Sequence, residues 1–447
     1  MGALLIEKIR KDSGEKSNKK ARICLVVCLI TNLGLLAFFK YSGFAIGIAN
    51  KILGVLHIQK SIPTSWVDYI ILPVGISFYI LQSLGYLIDV YRKDVYAEKN
   101  FFRYALFISF FPQLVAGPIE RSKNLLTQLA KPQKLSWDNC KRGFFIMLWG
   151  YFLKLVIADR AAIFVNKVYG DSSTYPGFYI VLATVLFAIQ IYCDFCGYST
   201  IARGVALFFG IRLVDNFKAP YFSRSIEEFW RRWHISLSGW FRDYLYIPLG
   251  GNRKGIVRKQ INKLIVFSVS GLWHGASLAY ILWGMLNGIY QVISDCWRYL
   301  TEKVGVLAKF NKKTDMDRTT LFSRSLLRCA VTFMLVCFTW FFFRAGDLSD
   351  AIEILQNLKC FNWEILFDGS LYNLGISKEF FHVLVLSIGI LFLVDYQKYR
   401  EKDVAQILMQ QDWWFQGIIV LVMIYGILLF GCYGVEYDTN QFIYFQF

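Results

Sequence analysis

The chain has 447 residues, of which 56% are apolar and 18% aromatic, against roughly 45–50% apolar for a soluble domain; this excludes an ordinary water-soluble globular protein. The formal net charge of +17 comes from basic runs set between apolar blocks, at Lys8–Arg22, Arg92–Arg103, Arg121–Arg142, Arg203–Lys263 and Arg298–Arg328. Such spacing is the signature of membrane flanks and leaves no folded basic module, which excludes a nucleic-acid partner.

In chain order, residues 1–22 read as a charged, frayed leader. Ile23–Phe39 follows, and Lys40-Tyr41 stands where a secretory signal would need small residues, so a retained anchor is expected. A helix crosses the hydrocarbon core in about 20 residues. Further candidate spans are Tyr69–Ile88, Gly143–Ala158, Phe178–Cys193, Leu264–Ile293, Leu327–Phe343, Phe380–Val394 and Gly417–Cys432. Tyr104–Ile119 carries Pro112, Gly117 and Pro118 and reads as a broken or re-entrant helix, which survives at membrane depth only where protein or water satisfies its backbone. Leu264–Ile293 would be about 45 Å long as one helix, too long for an untilted span, so a bend near Trp273–Gly275 is expected, with His274 at mid-depth. The fold class is therefore an all-α polytopic membrane protein, with residues 1–22 as leader and 23–447 as a single membrane domain. The sizeable polar stretches are Thr301–Ser325 and Arg344–Glu379, and no internal repeat is visible. By the positive-inside bias, Arg203–Lys263 faces the cytoplasm.

The ten cysteines form no framework. Cys193-x-x-Cys196 has a redox or zinc spacing, but no second pair accompanies it, so ordinary packing is expected and no metal site. Asp194, between them at the end of an apolar block, calls for an arginine or histidine N–H partner, or serves as a helix cap or a structural ion pair.

Glu227 to Tyr246 contains few helix breakers and reads as one helix on which Trp230, His234 and Ser238 share a face at i, i+4 and i+8. Arg231, Arg232 and Arg242 supply cations able to hold an anion, or simply pair with Glu227, Glu228 and Asp243. His234 is either an interfacial histidine or a reacting group. Leu249-Gly-Gly-Asn-Arg253-Lys254-Gly255 is a glycine turn with two cations that lacks the Walker spacing. His274 stands between Trp273 and Gly275 in a long apolar block. Gly271 and Gly275 let another backbone or a substrate approach closely. Burial disfavours a charged imidazole, which leaves the ring able to take a proton from a hydroxyl as a general base. Ionisable groups inside a bilayer are functional candidates by default.

Five ordered motifs then match a known pattern: Gly75-Ile-Ser-Phe-Tyr79 to Leu87-Ile-Asp-Val-Tyr-Arg92; Ser109-Phe-Phe-Pro-Gln-Leu-Val-Ala-Gly-Pro-Ile119; Phe229 to Gly255; Gly271-Leu-Trp-His-Gly-Ala276; and Phe442-Ile-Tyr-Phe-Gln-Phe447. By these the chain resembles the membrane-bound O-acyltransferase family, and within it the bacterial alginate O-acetyltransferase type. The resemblance implies a ring of transmembrane helices around a thin central site, with short re-entrant or interfacial helices. It implies His274 as the principal catalytic histidine and His234 as the second. Arg231, Trp230, Trp273 and Asp194 would support the oxyanion or position substrate, and Arg253 and Lys254 would meet the phosphates of coenzyme A. No cofactor is bound permanently. Acetyl-CoA from the cytoplasm is the implied donor, and a hydroxyl of an extracytoplasmic polysaccharide the acceptor, reached directly or through an acetyl-relay protein. The implied location is a bacterial cell membrane, multi-pass, among its lipids. Asn287 stands where the family often has histidine, so no proton transfer is assigned to it. Rival readings are a D-alanyl or protein-lipidating acyltransferase of the same family, and, from another class, a secondary transporter or flippase.

Overall fold

Backbone buried in lipid must satisfy its own hydrogen bonds, which favours helices over isolated strands. The computed structural model meets that demand with helices and contains no strand among the described residues. It describes residues 1–447 except 12–13, 59–60, 64, 66, 71, 304–321, 360–361 and 434–447. The terminal motif Phe442–Phe447 and most of the polar stretch Thr301–Ser325 thus lie outside the described residues. Two compact units are present, one of Met1–Phe144 with Ala202–Val214, the other of Phe145–Ile201 with the described residues from Asp215 onward.

In the first unit, α1 (Gly2–Lys11) precedes α2 (Glu15–Val55). The segment expected to be a frayed leader is instead a docked helix: Ala3 and Ile6 are buried, Glu7 accepts the Ala97 N–H at 2.9 Å, and Arg10 lies over the Tyr91 ring. Ala3 and Ile6 lie one turn apart on the docked face, which the basic count alone conceals. Next come α3 (Ile76–Arg92) and α4 (Phe101–Ser109). The span expected over Tyr69–Ile88 begins only at Ile76, because Pro73 and a left-handed Gly75 (φ 75°) set the helix start. A Cβ at Gly75 would sit 2.2 Å from the Leu114 carbonyl oxygen, so the first two family-like blocks meet backbone to side-chain position here. The broken reading of Tyr104–Ile119 holds: α4 stops at Ser109 and turns follow. Buried amides knit the break, with Gln82 donating to the Phe107 carbonyl at 2.6 Å and Gln113 donating to Gln82 at 3.2 Å. Glu120, 1% exposed, accepts from the Val214 N–H at 2.6 Å and from Asn124 at 2.6 Å, and burial lifts its carboxyl to about 7.

In the second unit, α5 (Trp137–Tyr151, with residues in both units) continues through a π-helical run, Phe152–Ala158, into α6 (Asp159–Gly170). Next is α7 (Phe178–Phe208), also shared between the units, and 78% of its most apolar stretch is buried. A helix hydrophobic on all sides has no polar face to show, so it fills an interior. After α8 (Ile226–Arg232) and α9 (Ile235–Phe241) come α10 (Gly255–His274) and α11 (Leu278–Lys303). The remainder is α12 (Phe322–Ala345), α13 (Leu348–Asn357), α14 (Lys378–Tyr399), α15 (Val404–Met409) and α16 (Trp413–Phe430). Among the described residues five helices, α2, α7, α12, α14 and α16, are long and apolar enough to cross a membrane. Only 11% of the apolar stretch of α16 is buried, and Leu421, Val422, Leu428 and Leu429 are each more than half exposed, the surface a lipid-facing helix presents.

The expected bend in Leu264–Ile293 is a full reversal. Lys263 meets Asp295 at 2.8 Å, a Cβ on Gly288 would contact Leu264, one on Gly284 would contact Phe267, and one on Gly271 would contact Tyr280. Partners that descend along one helix as they climb the other make α10 and α11 an antiparallel hairpin. Its tip is residues 275–277, and Lys254 and Arg298 lie toward its open end. Helical in its regular structure among the described residues, and apolar, the chain is a membrane protein.

Candidate active site

The site grows from two interrupted helices in the second unit. The stretch expected to run as one helix from Glu227 to Tyr246 is broken at Trp233–His234. His234 adopts a left-handed conformation, φ 43° and ψ 55°, which costs a non-glycine residue about 1–2 kcal/mol. Asn216 and Lys218 hold the break open. The Lys218 N–H donates to the Arg232 carbonyl at 3.0 Å, and Arg232 donates back to the Lys218 carbonyl at 3.1 Å. The Asn216 carbonyl accepts the Ile235 N–H at 3.0 Å and its Oδ1 accepts the Ser236 N–H at 3.2 Å, so one buried asparagine satisfies the first amides of α9. Its Nδ2 in turn donates to Ser199 on α7. Trp230, His234 and Ser238 therefore do not share one helical face; the break turns His234 inward, where it is 1% exposed. Its ring meets Phe195 edge-on at 4.6 Å, and burial drops the imidazole to about 3, so it stays neutral at any physiological pH.

His274 is the last residue of α10, and its position depends on glycine. A Cβ on Gly271 would lie 2.2 Å from the Tyr280 carbonyl oxygen, and one on Gly284 2.2 Å from that of Phe267. Each glycine is thus approached by the backbone of the other helix. At the tip, the place of a Gly275 Cβ is filled by the Tyr280 ring. The hairpin carries His274, 6% exposed, into a cage of rings: Trp273 at 4.8 Å, Trp283 at 5.1 Å and Phe343 at 5.4 Å. Trp273 also lies 6.3 Å from His234, so the two imidazoles share it as a neighbour. Behind them the aromatic wall continues through Trp283 stacked on Trp340 at 5.6 Å and Trp233 at 5.0 Å from Trp340. Aromatic pairs of this kind add about 0.5–1.5 kcal/mol each beyond their burial, enough to hold rings rigidly.

The other residues singled out from the sequence divide. Trp230 joins the cage, 5.8 Å from Trp283, and its indole donates to Asn287 Oδ1 at 3.2 Å. Asn287 also donates to the Trp283 carbonyl at 2.9 Å, so it orients two tryptophans at the position given no proton transfer. Arg231 is not brought to the cage: its side chain is 69% exposed and pairs with Glu227 one turn back. Asp194 is buried on α7 and pairs with Lys154 at 2.7 Å, a lysine that Asp159 also meets at 2.7 Å. Arg253 and Lys254 are exposed on the glycine turn, which buried Asn262 braces by donating to the Gly251 carbonyl at 3.0 Å. Trp283, Phe343 and Asn216 were not singled out as site residues. Their roles depend on contacts across tens of residues, and only the Trp283-Gly284 pairing after the histidine block hinted at one of them.

Two buried imidazoles that share a tryptophan neighbour within an aromatic cage are suited to taking a proton from a hydroxyl and excluding water from an activated acyl group. Comparison with known proteins identifies the family. Residues 97–314 match the membrane-bound O-acyltransferase family. A protein named probable alginate O-acetylase, from Pseudomonas syringae pv. tomato, is 35% identical over 386 residues, 86% of this chain and 70% of that one. A peptidoglycan O-acetyltransferase of Helicobacter pylori is 34% identical over 367 residues, covering 76% of this chain and 65% of that protein. A teichoic acid D-alanyltransferase of Bacillus subtilis is 26% identical over 292 residues, 60% of this chain and 68% of its own. These likenesses set the transporter reading aside: the chain belongs to the membrane-bound O-acyltransferase family and is a membrane O-acyltransferase.

Proposed function

We propose that the protein takes acetyl groups from acetyl-CoA on the cytoplasmic side of a bacterial cell membrane and delivers them to hydroxyls of an extracytoplasmic polysaccharide, directly or through a relay protein. The observation that carries this reading is the caged His274 at the hairpin tip, with His234 6.3 Å from the same Trp273 ring. A thioester is already activated, so the enzyme must align an alcohol, accept its proton and hold the developing oxyanion. His274 is the base. His234, kept neutral, offers a hydrogen bond rather than a charge. Arg253 and Lys254, exposed on their turn, meet the phosphates of coenzyme A. Names of the relatives at 34–35% identity specify O-acetyl transfer, which favours acetyl over D-alanyl as the transferred group.

Membranes containing the protein, given acetyl-CoA labelled in the acetyl group and a panel of candidate glycans, should move label into one glycan without any added carrier protein. Label that moves only when a secreted fraction is restored would assign the relay route. Transfer that requires an aminoacyl carrier protein and ignores acetyl-CoA would establish the D-alanyl reading, which the 26% identical relative represents.

A further inference from the structure

We infer that Trp283 is a catalytic residue whose indole N–H holds the oxyanion formed during acyl transfer, an inference that rests on the acetyl-transfer reading of this site. Trp283 is 1% exposed, and its ring stands perpendicular to that of His274, 88° between planes and 5.1 Å between centroids. Its Nε1 is buried and meets no hydrogen-bond acceptor among the described residues. The neighbouring tryptophan is treated differently. Trp230 has its indole N–H satisfied by Asn287 Oδ1, while the same asparagine spends its own N–H on the Trp283 carbonyl and so fixes the backbone of Trp283 without occupying its indole. An acceptor for Trp230 is therefore built into α11 and one for Trp283 is not.

A buried N–H without an acceptor is costly, and native proteins keep few. Stacking on Trp340 at 5.6 Å and packing on Phe343 at 5.1 Å hold the ring so that it cannot rotate toward water to recover the lost bond. A rigid, dry donor beside the base is what a charge that exists only transiently requires, because its orientation is settled before the reaction. In the step inferred, the acceptor hydroxyl oxygen attacks the thioester carbonyl carbon. A C–O bond forms, the hydroxyl proton passes to the His274 ring, and the carbonyl π pair becomes the oxyanion that accepts from Trp283 Nε1–H. Collapse re-forms the carbonyl, breaks the C–S bond, and the departing thiolate takes the proton back from the imidazolium as the free thiol.

The test replaces Trp283 in the full-length protein with 3-benzothienylalanine, which keeps the bicyclic shape and puts sulfur in place of N–H. Loss of an oxyanion donor should lower kcat about 100-fold or more while KM for acetyl-CoA changes by less than about threefold. The thermal unfolding midpoint should hold or rise, because an unsatisfied donor has been removed. A merely structural tryptophan would show the reverse, kcat retained or lost together with stability, and would overturn the assignment. His274→Ala is assayed alongside. If His274→Ala is inactive and the isostere is fully active, the oxyanion role falls and the acetyl-transfer reading stands. If His274→Ala retains transfer, the base role and the oxyanion site beside it fall together, whereas wild-type protein that moves no label from acetyl-CoA would overturn the acetyl-transfer reading itself.

Discussion

The two histidines reach the same aromatic cage by opposite means. His234 is held at a helix break that costs backbone strain and is maintained by hydrogen bonds that Asn216 accepts and the Lys218 N–H donates, residues far away in sequence. His274 sits at an unstrained helix end whose position is set by small residues: glycines on α10 and α11 let the backbones touch, so the hairpin tip cannot shift. The first device is polar and rests on a few hydrogen bonds, the second steric and spread over three turns. A polar device fails gradually as its bonds are removed, whereas a steric one fails at once when a methyl group is added.

That contrast orders the expected effects. Gly284→Ala places a Cβ 2.2 Å from the Phe267 carbonyl oxygen, with backbone on both sides and no flexible side chain to yield. Overpacking costs typically 1–3 kcal/mol and more where backbone must move. The variant should lose the hairpin, seen as loss of both acyl transfer and monodisperse protein in detergent. A well-behaved, active Gly284→Ala would break the steric half of the comparison. Asn216→Ala removes the side-chain acceptor of the Ser236 N–H and the donor to Ser199, leaving a buried amide unsatisfied at about 1–3 kcal/mol. It should lower the unfolding midpoint, yet leave measurable transfer, because the Asn216 carbonyl still accepts from Ile235.

The smallest effect concerns pH. His234 titrates near 6.5 when unfolded and at about 3 in the native cage, so between those values the unfolded chain binds the extra proton. Its neutrality costs nothing above pH 6.5, and stability is lost as pH falls below that, by about 1.4 kcal/mol at pH 5.5. Glu120 acts with the opposite sign: its native value of about 7 lies above the carboxylate value of 4.5, so the native state binds the extra proton and stability declines as pH rises from 4.5 to 7. The His234 contribution is therefore read as a difference in unfolding midpoint between wild type and His234→Asn. Asparagine tolerates the left-handed backbone without titrating. The difference should narrow from pH 7 to pH 5, and a constant difference would contradict a buried neutral imidazole.

Much of this arrangement could be read from residues and spacing. The apolar blocks, the interrupted Tyr104–Ile119 segment and the glycine-flanked His274 carry their own physical logic, because helix length and Cβ absence are local properties. The break at His234 was not readable, since no proline or glycine marks it. It is imposed by Asn216, 18 positions upstream, which pairs with the chain only after folding. Arg231 has a helical spacing compatible with His234, but on a broken helix it pairs with Glu227 at the surface. The docked α1 was hidden by its basic residues, one of which, Arg10, shares the face of Ala3 and Ile6 and lies over the Tyr91 ring. The reversal at residues 275–277 was half visible: length demanded an interruption, and only the paired glycines of the second helix, Gly284 and Gly288, turn a bend into a hairpin.

The central claim is that the His274 ring takes the hydroxyl proton beside the bound thioester. The direct measurement is acetyl transfer from labelled acetyl-CoA by purified His274→Ala protein in lipid nanodiscs, with the unfolding midpoint and acetyl-CoA binding measured on the same sample. Transfer should fall about 100-fold or more with binding retained and the fold intact. Transfer within a few-fold of wild type by a folded, donor-binding His274→Ala protein would contradict the claim.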